Sequence, residues 1–123
     1  MGQIIPTEHQ EQCALFEWSA WQEGLWPELR LLHAIPNGGK RDKVTAARLK
    51  EEGVKAGVPD LCLPVPRGGK HGLYIEMKRR KGGKVSPDQL QWLDDLMHQG
   101  YECHVCRGCD EARETILEYL RRM

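Results

Sequence analysis

The sequence predicts an α/β protein of about one domain. Three observations carry this reading. Helical and strand-like patterns alternate in the order α-β-α-β-β-α-β-α. The helical stretches open on capping residues and close on glycine or proline, while the strand stretches are short apolar runs bounded by turn residues. The length of 123 residues suits one buried core without disulfide staples.

The first helix is expected over residues 8–23. Thr7 can cap it, glutamates fill its first turn, and Ala14, Leu15, Trp18, Trp21 and Leu25 recur at helical spacing. Gly24 and Pro27 end it. Residues 29–35 read as a buried strand, closed by the loop signal Pro36-Asn37-Gly38-Gly39. Residues 42–52 read as a helix with Val44, Ala47 and Leu49 inward and Gly53 as its C-cap. Gly57-Val58-Pro59 leads into a strand over 60–65, residues 67–72 form a hairpin-type connection, and 73–78 is the next strand. A basic, glycine-containing loop follows over 79–85. Ser86-Pro87-Asp88-Gln89 is a strong helix start, with Ser at N-cap, Pro at N1 and Gln at N3. That helix runs to about residue 99 with Leu90, Leu93, Leu96 and Met97 inward, and Gly100 stops it. Residues 101–106 read as a strand. Asp110 caps a last helix with Ala112, Ile116, Leu117 and Leu120 inward. No repeat, linker or low-complexity segment interrupts this order.

Composition narrows the function classes. No apolar run approaches the ~18 residues of a membrane helix. The start, Met1-Gly2-Gln3-Ile4-Ile5-Pro6, has neither the basic-then-apolar pattern of a secretory signal nor the Ser or Thr of a myristoylation site, so a cytoplasmic location is expected. The five cysteines (13, 62, 103, 106 and 109) are odd in number, which argues against a disulfide framework. Cys103, Cys106 and Cys109 have metal-like spacing, but no second cysteine pair completes a zinc set, and only Cys62, His71 or His104 could fill in. A strand through this stretch would also turn Cys103 and Cys106 to opposite faces, so structural thiols are the expectation. The formal net charge is zero, yet it is unevenly spread: −5 over residues 1–29, +9 over 30–84 and −4 over 85–123. The basic middle fits a polyanion partner, unless the flanking acidic helices neutralise it in the fold.

One strand carries chemistry. In Leu73-Tyr74-Ile75-Glu76-Met77-Lys78, alternation puts Glu76 and Lys78 on one face and Leu73, Ile75 and Met77 on the other. Fifteen residues separate Glu76 from Pro59-Asp60, and adjacent antiparallel strands can bring Asp60 beside Glu76. Two close carboxylates repel unless a proton or cation lies between them, and carboxylate oxygens suit Mg²⁺. The rival reading makes Glu76 and Lys78 an exposed pair on a half-solvated sheet and Asp60 a turn residue.

The trace Pro59-Asp60 … Glu76-Met77-Lys78 resembles the PD-(D/E)xK nuclease superfamily, and the chain more narrowly resembles the virus-type replication-repair nuclease (VRR-NUC) family. The supporting stretches are Ile35-Pro36-Asn37-Gly38-Gly39, the run from Gly53 to Leu61, Tyr74 to Lys78, and Ser86 to Leu93. The resemblance implies the restriction-endonuclease-like fold, a central mixed sheet flanked by helices, filled by one nuclease domain over residues 1–123. It implies a Mg²⁺-dependent, structure-selective endonuclease of branched DNA, similar to Holliday-junction resolvases that act as homodimers, with Mn²⁺ substituting. Flap cleavage and a non-catalytic nucleic-acid-binding module are the alternatives, and a cysteine-based metal sensor is a third class. By position, Asp60 and Glu76 match the metal-binding acids, the Met77 carbonyl an additional ligand, and Lys78 the lysine beside the attacking water. The family's first-helix acid falls on Glu11, with Glu8 one turn earlier as its rival. Gln89 matches a glutamine near the active site, or serves only the capping box, or both. Lys40, Arg41, Lys43, Arg79, Arg80, Lys81 and Lys84 would contact phosphates, with solubility as the competing account, and Asn37 would touch the backbone or shape a turn.

Overall fold

A computed structural model describes residues 4–36 and 42–123. Thr7 caps α1 (Glu8–Gln22) through a full capping box with Gln10. A 3-10 turn (Pro27–Leu31) leads into β1 (His33–Ala34), and Asp42 caps α2 (Lys43–Glu51). Then come β2 (Leu61–Leu63), β3 (Leu73–Lys78), α3 (Pro87–His98), β4 (Glu102–Arg107) and α4 (Cys109–Leu120). Ser86 and Gln89 close the capping box of α3 as the sequence predicts.

The four strands form one mixed sheet in the order β1-β2-β3-β4. β1 and β3 each run antiparallel to β2, and β3 and β4 are parallel, joined through α3. β3 is therefore central, with neighbours on both edges and almost no exposure on either face. Leu61, Leu63, Leu73, Ile75 and Met77 pack with Leu15 of α1 and with Ala112, Ile116, Tyr119 and Leu120 of α4 in one core. The buried Tyr119 donates its hydroxyl to the Val65 carbonyl at 2.6 Å, which satisfies the polar end of a large core side chain. Among the described residues no helix is long and apolar enough to cross a membrane.

The fold departs from the sequence reading at five places. Residues 29–35 are not a buried strand. Pro27 opens a 3-10 turn that buries Leu29 and Leu32, three apart, and only the exposed pair His33–Ala34 extends the sheet. In α1 the buried stripe is Glu11, Leu15 and Ser19 rather than the aromatic one, and Trp21 and Leu25 are 81% and 77% exposed. α2 has the expected ends but no buried residue, and Val44 is 70% exposed. The segment that carries α2 leaves and returns beside Asp60, where the Ile35 amide donates to the Asp60 carbonyl at 2.7 Å. In α3 only Leu93 is fully buried, with Leu90 and Met97 half-exposed. Finally, α4 starts at Cys109 with Gly108 at its N-cap, two residues before the expected Asp110.

Candidate metal centre

Pro59 is buried and brings the chain extended into β2, with Asp60 just ahead of its first residue. The pairing of Leu61 with Ile75 sets Asp60 against Glu76 one step further along the ladder. Asp60 Oδ2 accepts the Met77 N–H at 2.7 Å, so the acid is fixed to the strand that carries its neighbour. Ile75 and Met77 point into the core, hence Glu76 and Lys78 share the opposite face. That face is covered: Glu76 is 1% and Lys78 7% exposed. The rival picture of a solvated pair on a half-open sheet therefore does not hold. The third acid is Glu8, from the first turn of α1. One oxygen each of Glu8, Asp60 and Glu76 lies within 4.8 Å of the others.

Lys78 and Gln89 complete the cluster. Lys78 Nζ lies 3.0 Å from Gln89 Oε1 and 3.6 Å from Glu76 Oε2. Gln89 donates Nε2–H to Glu76 Oε2 at 3.3 Å, and its Oε1 also accepts the Ser86 N–H at 2.9 Å. One side chain thus closes the α3 capping box and reaches the acids.

The electrostatics are unbalanced toward negative charge. Burial holds the Glu76 carboxyl well above the ordinary carboxylate range; the neighbouring Asp60 pushes it further, and Lys78 offsets this only in part. Glu8 is also raised, by burial first and then by Asp60. Glu76 Oε1 is buried and accepts no hydrogen bond from the described residues. A buried oxygen without a donor, facing two more carboxylates, is the donor set of a hard divalent cation. The residues present fit a divalent metal ion.

The remaining candidates separate. Glu11 does not join the acids, and the structure corrects that expectation in favour of Glu8. Glu8, in the first turn of α1, brings a carboxylate oxygen to Asp60 and Glu76, whereas Glu11, one turn on, points to the β4–α4 junction. There it accepts from Arg80 Nε at 2.8 Å and from the Cys109 amide at 3.3 Å. Arg80 is ion-paired to Glu11, with its side chain half-exposed. Arg79 donates to the Ile5 carbonyl at 3.5 Å. Lys43, Lys81 and Lys84 are exposed, and the Met77 carbonyl belongs to the strand residue between Glu76 and Lys78. Asn37, Lys40 and Arg41 lie outside the described residues. Arg107, which carried no signal in the sequence, holds the loop after β3 by donating to the carbonyls of Arg79, Gly82 and Gly83 at 3.3, 2.7 and 3.3 Å.

The cysteine segment shows no metal-binding arrangement. Cys103 pairs with Tyr74 and Cys106 with Met77 across β3–β4, on opposite faces. Burial pushes Cys62, Cys106 and Cys109 up and Cys103 to about 11, which keeps them protonated and poor ligands.

Residues 3–110 match the VRR-NUC domain family. A solved VRR-NUC domain protein superposes with a TM-score of 0.82 at 32% identity, over 96% of this chain and 91% of that one. No curated protein sequence matches the chain.

Proposed function

This chain belongs to the VRR-NUC family, nuclease domains of the PD-(D/E)xK type, and from that premise we propose that it is a divalent-metal-dependent endonuclease of branched DNA. The observation that carries the reading is the convergence of Glu8, Asp60 and Glu76 within 4.8 Å beside Lys78, with one buried Glu76 oxygen left for a cation. Glu8, Asp60 and Glu76, with the Met77 carbonyl, would hold Mg²⁺. The bound ion would supply Lewis-acid stabilisation of charge on the phosphoryl and leaving oxygens.

The chain's own groups divide the remaining work. Lys78 is held by Gln89 and Glu76, so its ammonium has one position, and its free N–H can orient a water for in-line attack. The attacking water gives up a proton to solvent as its oxygen bonds to phosphorus, the bond to the leaving oxygen breaks, and that oxygen takes up a proton from solvent. Asp60 is kept in register with Glu76 through the Met77 amide, so the acids need no rearrangement to receive the ion. Lys43, Lys81 and Lys84 offer exposed charge for backbone phosphates, without base readout. A two-fold dimer would match the two symmetry-related strands of a four-way junction.

The test is cleavage of junction, flap and linear duplex DNA in Mg²⁺ or Mn²⁺ by wild type and Lys78→Ala. Junction cutting by wild type alone, with binding by both, is the expected result. Preferred flap cutting would move the substrate assignment. No metal-dependent cutting of any substrate would reduce the protein to a binding module.

A further inference from the structure

We propose that Glu11 and Arg80 are a positioning pair that holds Glu8 in the metal centre, an inference that rests on the cation reading above. Asp60 and Glu76 are fixed by the sheet, but Glu8 is not. It stands on the first turn of α1, and its charge faces two buried carboxylates that repel it. The approach of α1 to the acids must therefore be secured elsewhere.

Contacts among the start of α1, the end of β3 and the start of α4 secure it. The Glu11 side chain, 3% exposed, lies one turn from Glu8 and accepts from Arg80 Nε at 2.8 Å and Nη2 at 3.4 Å. Its Oε1 also accepts the first amide of α4, Cys109, at 3.3 Å, where Gly108 has no side chain to offer as a cap. Arg80 is two residues past Lys78, and the Lys78 carbonyl accepts the Gly108 amide at 3.0 Å. Arg79 meanwhile holds the chain before α1 through the Ile5 carbonyl. The end of β3, the start of α4 and the start of α1 thus meet on one carboxylate. The junction is tight: a Cβ on Gly108, whose φ is +94°, would stand 2.9 Å from Arg80 Cγ and 2.9 Å from Glu11 Oε2. Glu11 is buried, and the half-exposed Arg80 directs both Nε and Nη2 to it. Their attraction lies where it opposes the repulsion of Glu8 from the sheet acids, and one helical turn transmits it.

Mn²⁺ alone is the probe, titrated calorimetrically into folded wild type, Glu8→Gln, Glu11→Gln, Arg80→Ala and the double variant Glu8→Gln/Arg80→Ala. Arg80→Ala and Glu11→Gln are expected to weaken Mn²⁺ binding roughly tenfold or more, the scale seen when groups that orient metal ligands are removed. In the Glu8→Gln background Arg80→Ala should then add less than about twofold, because two changes acting through one group do not add. Unchanged Mn²⁺ affinity in Arg80→Ala, with weaker DNA binding, would make Arg80 a phosphate contact and overturn the pairing role. An equal further loss in the Glu8→Gln background would overturn it too, as a general scaffold effect. If Arg80→Ala does not fold, Glu11→Gln carries the same comparison. A wild type that binds no Mn²⁺ removes the metal reading itself. One that binds Mn²⁺ with this pattern but cuts no DNA leaves the pair standing and removes only the nuclease.

Discussion

Glu76 is the residue at which stability and function conflict most directly. Its carboxyl is buried, one oxygen has no donor, and Asp60 and Glu8 add like charge. Glu76→Gln keeps the shape and removes a group that must either take up a proton or carry a poorly solvated charge on folding. We expect it to abolish metal-dependent cleavage while raising the stability of the metal-free protein by roughly 1 kcal/mol, read by urea denaturation in EDTA. A destabilised Glu76→Gln would mean that the carboxylate is satisfied in the fold. Lys78→Ala should behave differently. Cleavage should fall roughly 10²–10³-fold, the range for losing a preorganised hydrogen-bond donor at the reacting centre, while Mn²⁺ binding persists. Loss of Mn²⁺ binding together with cleavage would instead make Lys78 a structural counter-ion. Asp60, Glu76 and Lys78 were legible because strand alternation and antiparallel pairing follow directly from sequence. The first-helix acid was not. Glu8 and Glu11 are three apart and lie on one helix face, so periodicity cannot separate them, and only the height of α1 over the sheet decides.

At the scale of elements, local chemistry was readable and tertiary placement was not. Ser86 and Gln89, Thr7 and Gln10, and Asp42 start helices through bonds made within a few residues. The buried face of α1 escaped because it carries a charged and a hydroxyl residue, Glu11 and Ser19, and the partners of Glu11 come from elsewhere in the chain. The cap of α4 escaped for the same reason, since its acceptor is Glu11 from α1, 98 residues away in the chain. Gly57 shows how such long-range packing can be measured. It has φ +86°, stands three residues before Asp60, and lies against Asp88, next to Gln89, so it joins two parts of the site. A Cβ there would be 2.8 Å from Asp88 Cβ and 2.9 Å from the Asp88 carbonyl carbon. Gly53 has a comparable φ of +98° and open space around it. Gly53→Ala should therefore cost only backbone strain, about 1 kcal/mol. Gly57→Ala adds a clash with backbone and should cost about 2–3 kcal/mol in urea denaturation. Equal losses would show that the loop shifts freely from α3.

For the whole molecule, the site ties stability to pH and metal together. Glu76 and Glu8 have folded pKa values raised above the ordinary carboxylate value. Their contribution to stability is fully present below that ordinary value and is lost as pH rises through the folded one. Asp42, bonded by Thr45, and Glu102, bonded by Arg122, are lowered and act in the opposite sense. Their stability is present above the ordinary value and is lost as pH falls through the folded one. Metal-free protein should thus be less stable at about pH 8 than at about pH 5.5, with a separate loss below about pH 4. A divalent ion held there should reverse the upper limb, because it would bind the deprotonated acids and only the folded state. Mn²⁺ at a hundred times its Kd should stabilise by about 2.7 kcal/mol, which for a chain of this length raises Tm by roughly 10 °C. The gain should be larger at about pH 8 than at about pH 5.5 and should be lost in Glu76→Gln. Thermal unfolding in EDTA and in Mn²⁺ at the two pH values decides the matter. A Tm in EDTA that rises with pH, or a Mn²⁺ effect unchanged in Glu76→Gln, would show that the buried acids are compensated inside the protein and do not await a cation.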